Sequence, residues 1–272
     1  MHFLDKLNKK DPNRREIFVM SRNALITLAA LNLGIQLPGC MTIEKGTFSD
    51  WKDPLETSFV GGVAFAHKIE GQAFVDGIPI QLNIPIASGK KIQVAPKSLL
   101  FLTLPDGSVL KATGKAELVL NLDPQSGGIL QLNHGSLLNV IHKRNKFRMK
   151  PYLFRGANSV VGIKGTVFFA HVFGEEGISD KRIPVNTSEY FCLCNGQADF
   201  ISPEEQLVME TDSADHHNSY YVSLEGKRPR FQEANRLLFH SDAEIIRLVK
   251  TMKGEKHDTS WINRAADDGY SY

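Results

Sequence analysis

Apolar and polar positions alternate through the middle of this chain. In "LLFLTLPDGSVLKATGKAELVLNL", Leu100, Leu102 and Leu104 fall on one face with a period of two. A Pro-Asp-Gly corner follows, and Leu118, Leu120 and Leu122 resume the same period. "GGILQLNHGSLLNVI" predicts a pair of short strands around Asn133, His134 and Gly135. Val167, Phe169, His171 and Phe173 line one face of a longer strand, and Phe168, Ala170 and Val172 the other, so both faces are expected to be covered. Glycine-bearing corners recur at short intervals. The expectation is an all-β core over residues 59–203, solenoid-like or a two-layer β-sheet of short strands.

The period changes near the C-terminus. In "SDAEIIRLVKTMKG", Ile245, Leu248, Val249 and Met252 recur at helical spacing. Ser241 and Glu244 stand three apart as a capping box, Lys250 and Lys253 sit near the negative end, and Gly254 is a stop. An amphipathic helix over 242–253 is predicted, packed on the β body within a C-terminal extension, 204–272.

The N-terminal segment reads differently again. A basic lead is followed by the apolar run "ALITLAALNLGIQLPGC", which is interrupted by Asn32 and Gln36 and short for a membrane span. Basic, apolar and then small residues make a signal peptide over 1–39. "LPGC" resembles a lipobox ending at Cys40, the lipidation candidate, and "NRREIF" loosely resembles a twin-arginine export signal. Residues 40–58 read as a tether. The alternative is an amphipathic or buried helix ending at Pro38. Export places the protein in the periplasm or cell envelope, touching the membrane only through a lipid anchor.

Composition supports a folded chain: 42% of the 272 residues are hydrophobic and 23% charged. The leader supplies the formal charge of +2; without residues 1–39, 26 bases face 27 acids. That balance gives no electrostatic footprint for nucleic acid.

Three stretches resemble the FecR-type domain, the periplasmic part of regulators of iron-chelate uptake that also occurs in other exported bacterial proteins. They are "SGKKIQVAPKSLLFLTLPDGSVLKA" with Pro105, Asp106 and Gly107, then "GGILQLNHGSLLNVI", then "RGANSVVGIKGTVFFAHV" with Gly162, Lys164, Gly165 and Thr166. The resemblance implies a β-rich fold and a role in binding or signal relay, with an envelope protein or polymer as partner. The sigma-binding segment of the iron regulators does not carry over, because about forty residues that read as a leader precede the β region. On the residues alone, Gly162 and Gly165 suggest a tight bend or a close backbone approach. A phosphate loop fails on spacing.

"EYFCLCNGQADF" sets Cys192 and Cys194 on one face of a strand. They could pack as small hydrophobes. A disulfide across one residue of a regular strand would be strained, although an exported location is oxidising. Metal binding suits the geometry: same-face thiolates fit Zn or Cu. Further ligands could come from His216 or His217, only one of which should join if the two sit on a strand, and from His240. The arrangement Tyr190-x-Cys192-x-Cys194, His216-His217, His240-Ser241-Asp242-x-Glu244 is similar to one in some FecR-type proteins. His171, inside an apolar strand, reads as a core histidine. Zincin, nucleophile-elbow and dinucleotide motifs are absent, so no catalytic residue is expected. The expected function is an exported, non-catalytic FecR-type β module that binds a protein or envelope ligand. The alternative is a periplasmic metal-binding or thiol-redox protein.

Overall fold

In the computed structural model, the described residues are 62–123, 127–142, 152–174, 178, 180–202, 207–252 and 258–262. The expectations for the signal peptide, Cys40 and the tether lie outside them. Among the described residues, fifteen strands run in chain order: β1 (Val63–Glu70), β2 (Ala73–Val75), β3 (Ile78–Pro79), β4 (Pro85–Ala87), β5 (Lys91–Val94), β6 (Leu99–Thr103), β7 (Val109–Asp123) and β8 (Gly127–Val140). There follow β9 (Tyr152–Arg155), β10 (Val160–Ile163), β11 (Val167–Val172), β12 (Glu189–Ser202), β13 (Leu207–Ala214), β14 (Asn218–Glu225) and β15 (Arg228–Glu233). Among the described residues one helix, α1 (Asp242–Lys250), ends the series. The core is all-β with a C-terminal helix, as the alternation and the change of period predict.

The strands are not uniformly short. β7 has 15 residues and β8 and β12 have 14 each. Sheet structure also does not stop at residue 203, because β13 and β14 both pair antiparallel with β12 and β15 extends β14. Much of the expected extension therefore belongs to the sheet. The helix ends three residues before Lys253, with Thr251 as its C-cap.

A small closed barrel organises the centre. β8 pairs with β9, β9 with β10, β10 with β12, β12 with β11, and β11 returns to β8. The β8–β9 contact is parallel and the other four are antiparallel. Alternation decides which side chains enter the barrel. Phe168 and Ala170 from β11 and Phe191 and Leu193 from β12 join Phe154, Val161 and Phe200 inside. Phe168 stacks on Phe191 at 5.6 Å and meets Phe154 edge-on at 5.5 Å, the offset and edge geometries that aromatic rings favour. The intervening residues Val167, Phe169, Tyr190, Cys192 and Cys194 face outward into a second apolar cluster. Leu238, Ile245, Leu248, Val249, Met252, Trp261 and Ile262 cover that cluster. Both faces of β11 are thus buried, as its sequence predicts.

The corners carry the turn chemistry. At Pro105-Asp106-Gly107, Gly107 is left-handed at φ 85°, its N–H bonds Leu104 O at 3.0 Å, and the Ser108 N–H bonds Asp106 Oδ1 at 3.0 Å. Between β10 and β11 the bend falls at Gly165, φ 77°. The close approach envisaged at Gly162 is absent: a Cβ there would lie 3.5 Å from its nearest neighbour, an ordinary contact. Lys164 reaches across the sheet to Asp199 at 2.6 Å, and Thr166 is fully buried beside the bend. The residues of these two stretches shape corners of the sheet.

Candidate metal centre

The outward face of β12 carries the two cysteines, and two further stretches fold over them. Chain reversal between β13 and β14 brings His216 and His217 above the sheet. They lie in a bend, not on a strand, and His217 is left-handed at φ 44°. Its backbone N–H bonds Cys194 O at 3.0 Å, which ties the bend to β12. His240 arrives from the segment leading into α1, just after Phe239, which is also left-handed at φ 65°. Two non-glycine residues in this sparsely allowed region, one at a donor and one beside another, mark the local backbone as held by its surroundings.

The donor atoms converge. Cys192 Sγ lies 3.3 Å from His217 Nδ1, Cys194 Sγ lies 3.3 Å from His240 Nε2, and the two sulfurs are 3.7 Å apart. One donor from each of Cys192, Cys194, His217 and His240 lies within 4.8 Å of the others, and all four residues are buried. A tetrahedral Zn2+ with bonds of about 2.3 Å to sulfur and 2.0 Å to nitrogen separates its donors by about 3.8 Å (S to S) and 3.5 Å (S to N). The sulfur–sulfur spacing and the two Cys–His spacings given above lie within a few tenths of an ångström of those edges.

Surrounding groups orient the rings. His240 Nδ1 lies 2.8 Å from Leu238 O, so Nδ1 carries a proton and Nε2 is the nitrogen turned to Cys194. The His240 ring stacks on Phe169 with centroids 4.4 Å apart and planes 7° apart. His217 Nε2 lies 2.8 Å from Asp242 Oδ1 at the start of α1, leaving Nδ1 to face Cys192. His216 stays outside the four-donor set, with Nε2 3.5 Å from Asp242 Oδ2. Trp261 lies over both histidines, at 5.5 and 5.8 Å.

Electrostatics favours ligation. Burial raises both thiols. Against it, the hydrogen bond from Cys194, the charge of His240 and the hydrogen bond with His217 draw Cys192 well below the ordinary thiol range. Burial and the neighbouring Cys192 push Cys194 well above it. Two thiols this close resist ionising together, and a bound cation is what would let both protons leave. Burial works against a charged His217, but Cys192 and Asp242 overcome it and raise its pKa.

Of the residues singled out in the sequence, Cys192, Cys194, His217 and His240 come together and His216 stands beside them. Asp242 belongs to the quoted motif, yet nothing in the sequence assigns it more than a place in the first helical turn. The carbonyl of Leu238 and the ring of Phe169 carry no signal at all. Away from this centre, residues 155–160 with Leu224, Gly226 and Lys227 line an open cavity of about 310 Å³. The buried Glu189 carboxylate behind that loop is occupied by the Ser159 N–H and hydroxyl and the Asn158 N–H. No protein-family model, curated protein or solved structure matches this chain.

Proposed function

We propose that this protein is a metal-binding β module in which Cys192, Cys194, His217 and His240 hold one thiophilic ion of the Zn2+ or Cu+ type. The single observation that carries this reading is the convergence of four buried donors from three separated stretches of chain within 4.8 Å of one another, with the sulfur–sulfur spacing and one sulfur–nitrogen spacing per histidine near tetrahedral edge length. Packing alone explains neither the two oriented imidazoles nor the left-handed backbone at His217. Four protein donors fill a tetrahedral ion completely, which is the pattern of a structural or storage site; catalytic sites keep a position open. The role is therefore binding and not catalysis.

The test is metal content and reconstitution. Protein purified without chelator should carry about one equivalent of metal, and stripped protein should take up Zn2+ with the same stoichiometry. Cys192→Ser should lose it, while His216→Ala should keep it. Stripped, reduced and folded protein that takes up neither Zn2+ nor Cu+ would end the reading.

The export reading is an extension of this proposal. Support comes from the leader and lipobox-like Cys40, the three FecR-like stretches and the all-β core, which we read as two layers around the barrel. A bound ion would also keep two adjacent thiols from oxidising outside the cytosol. An envelope protein or polymer remains the expected partner; exposed Ile78, Leu82 and Ile84 near the β3 edge offer apolar surface for one. Fractionation of the native protein beside Cys40→Ala checks it: the native chain should sediment with membranes and the variant should not. A native chain found in the cytosol removes export from the account.

A further inference from the structure

The metal-binding reading, on which this inference rests, leaves open a divalent or a monovalent ion. We propose that Asp242 decides the matter: acting through His217, it is the specificity-determining residue that makes the centre a site for a divalent cation of the zinc type.

Two features of the geometry lead there. The first is orientation. Asp242 Oδ1 stands 2.8 Å from His217 Nε2, on the far side of the ring from Cys192, so the ring donates outward and offers Nδ1 inward. A carboxylate hydrogen-bonded behind a ligating imidazole raises its basicity and fixes its tautomer. The second is charge. Two thiolates and two neutral imidazoles carry −2. A divalent ion neutralises them, and a monovalent ion leaves a buried negative charge. The Asp242 carboxylate adds a further negative charge one imidazole away. Its attraction for the bound ion scales with that ion's charge, so it favours a divalent over a monovalent ion.

The surroundings keep this contribution from being screened. The Asp242 side chain is 11% exposed and that of His217 is 1% exposed. Trp261 lies over the His216–His217 pair. Among the described residues, Glu244 bonds Lys111 at 2.5 Å and the Ser241 N–H at 3.1 Å, and His216 faces the second oxygen of Asp242. Asp242 also occupies the first turn of α1, where any acidic residue is favoured. A helix-start role alone predicts no discrimination between metals, and that difference is what the experiment reads.

The full chain is stripped and reduced, and its affinities for Zn2+ and for Cu+ are measured anaerobically by competition with chelators of known affinity. Asp242→Asn should lower Zn2+ affinity about 10- to 100-fold and Cu+ affinity by clearly less, so the Zn2+/Cu+ affinity ratio falls about tenfold. Asp242→Glu keeps the charge and should hold the ratio near that of the unaltered protein. It carries the comparison if the asparagine variant does not fold, as judged by circular dichroism. Equal losses for both ions in Asp242→Asn, or a shifted ratio in Asp242→Glu, overturn the role of Asp242 and leave the metal centre standing. Failure of the unaltered protein to bind either ion overturns both.

Discussion

At the scale of single residues, burial and close approach set the costs. His171 sits on β11 with Nδ1 2.7 Å from Ser136 Oγ, and its ring stacks on Phe239 at 4.5 Å and meets Phe173 edge-on at 4.6 Å. Burial lowers its pKa to about 4. The folded state therefore favours neutral imidazole, while the unfolded chain takes up a proton near the ordinary histidine value of 6.5. His171's contribution to stability is full above pH 6.5, shrinks as pH falls from 6.5 to about 4, and is gone below that. The loss is at most about 3 kcal/mol. Urea unfolding at pH 7.5 and 4.5 checks it: His171→Asn should lose less stability between the two values than the unaltered protein does. Gly156 is a steric case. A Cβ there would lie 1.9 Å from Glu189 Oε2, and that carboxylate is held by Ser159 at 2.6 Å. Gly156→Ala should destabilise by about 1–3 kcal/mol, read as a lower thermal midpoint.

At the scale of elements, α1 shows how one side chain joins two layers. Ile245, Leu248 and Val249 bury its apolar stripe. Glu244 accepts from the Ser241 N–H at 3.1 Å, closing one half of the capping box, and takes Lys111 Nζ of β7 at 2.5 Å. The Lys111 side chain is 11% exposed and that of Glu244 30%, so the lysine depends on its partner more than the glutamate does. Glu244→Gln should cost about 2 kcal/mol in chemical unfolding, more than Ser241→Ala, because it strands a buried ammonium as well as weakening the cap. Equal costs would mean that the ion pair contributes nothing beyond the cap.

At the scale of the whole molecule, the proposed metal centre links three stretches of chain distant in sequence. Cys192 meets a histidine 25 residues on, and Cys194 one 46 residues on. An ion held only by the folded form stabilises that form by mass action, and its binding free energy becomes folding free energy. Chelator-stripped protein should therefore unfold at a lower temperature, with Zn2+ restoring the midpoint. Because Cys194 is raised well above the ordinary thiol range and must lose its proton to ligate, Zn2+ affinity should fall as pH is lowered from 8 to 6. Titrations with a competing chelator at several pH values measure that slope.

Alternation along the chain was enough to place Leu100, Leu102 and Leu104 on one buried face, to sort Phe168 from Phe169, and to put Cys192 and Cys194 side by side, because the pleat has a period of two in any sheet. The change to helical spacing marked α1, and the Pro-Asp-Gly corner marked its own turn. Sequence also supplied the candidate donors, since few residue types can bind a soft metal. What it could not supply was any contact that depends on how strands return. The five-stranded closure through a parallel β8–β9 pairing, the continuation of the sheet through β13 to β15, and the choice of His217 over His216 all follow from long-range pairing and one left-handed bend. Asp242 behind His217 belongs with these: a helix start reads the same in sequence whether its acidic residue faces water or a buried imidazole, and only the packing of α1 against the β14 approach decides which.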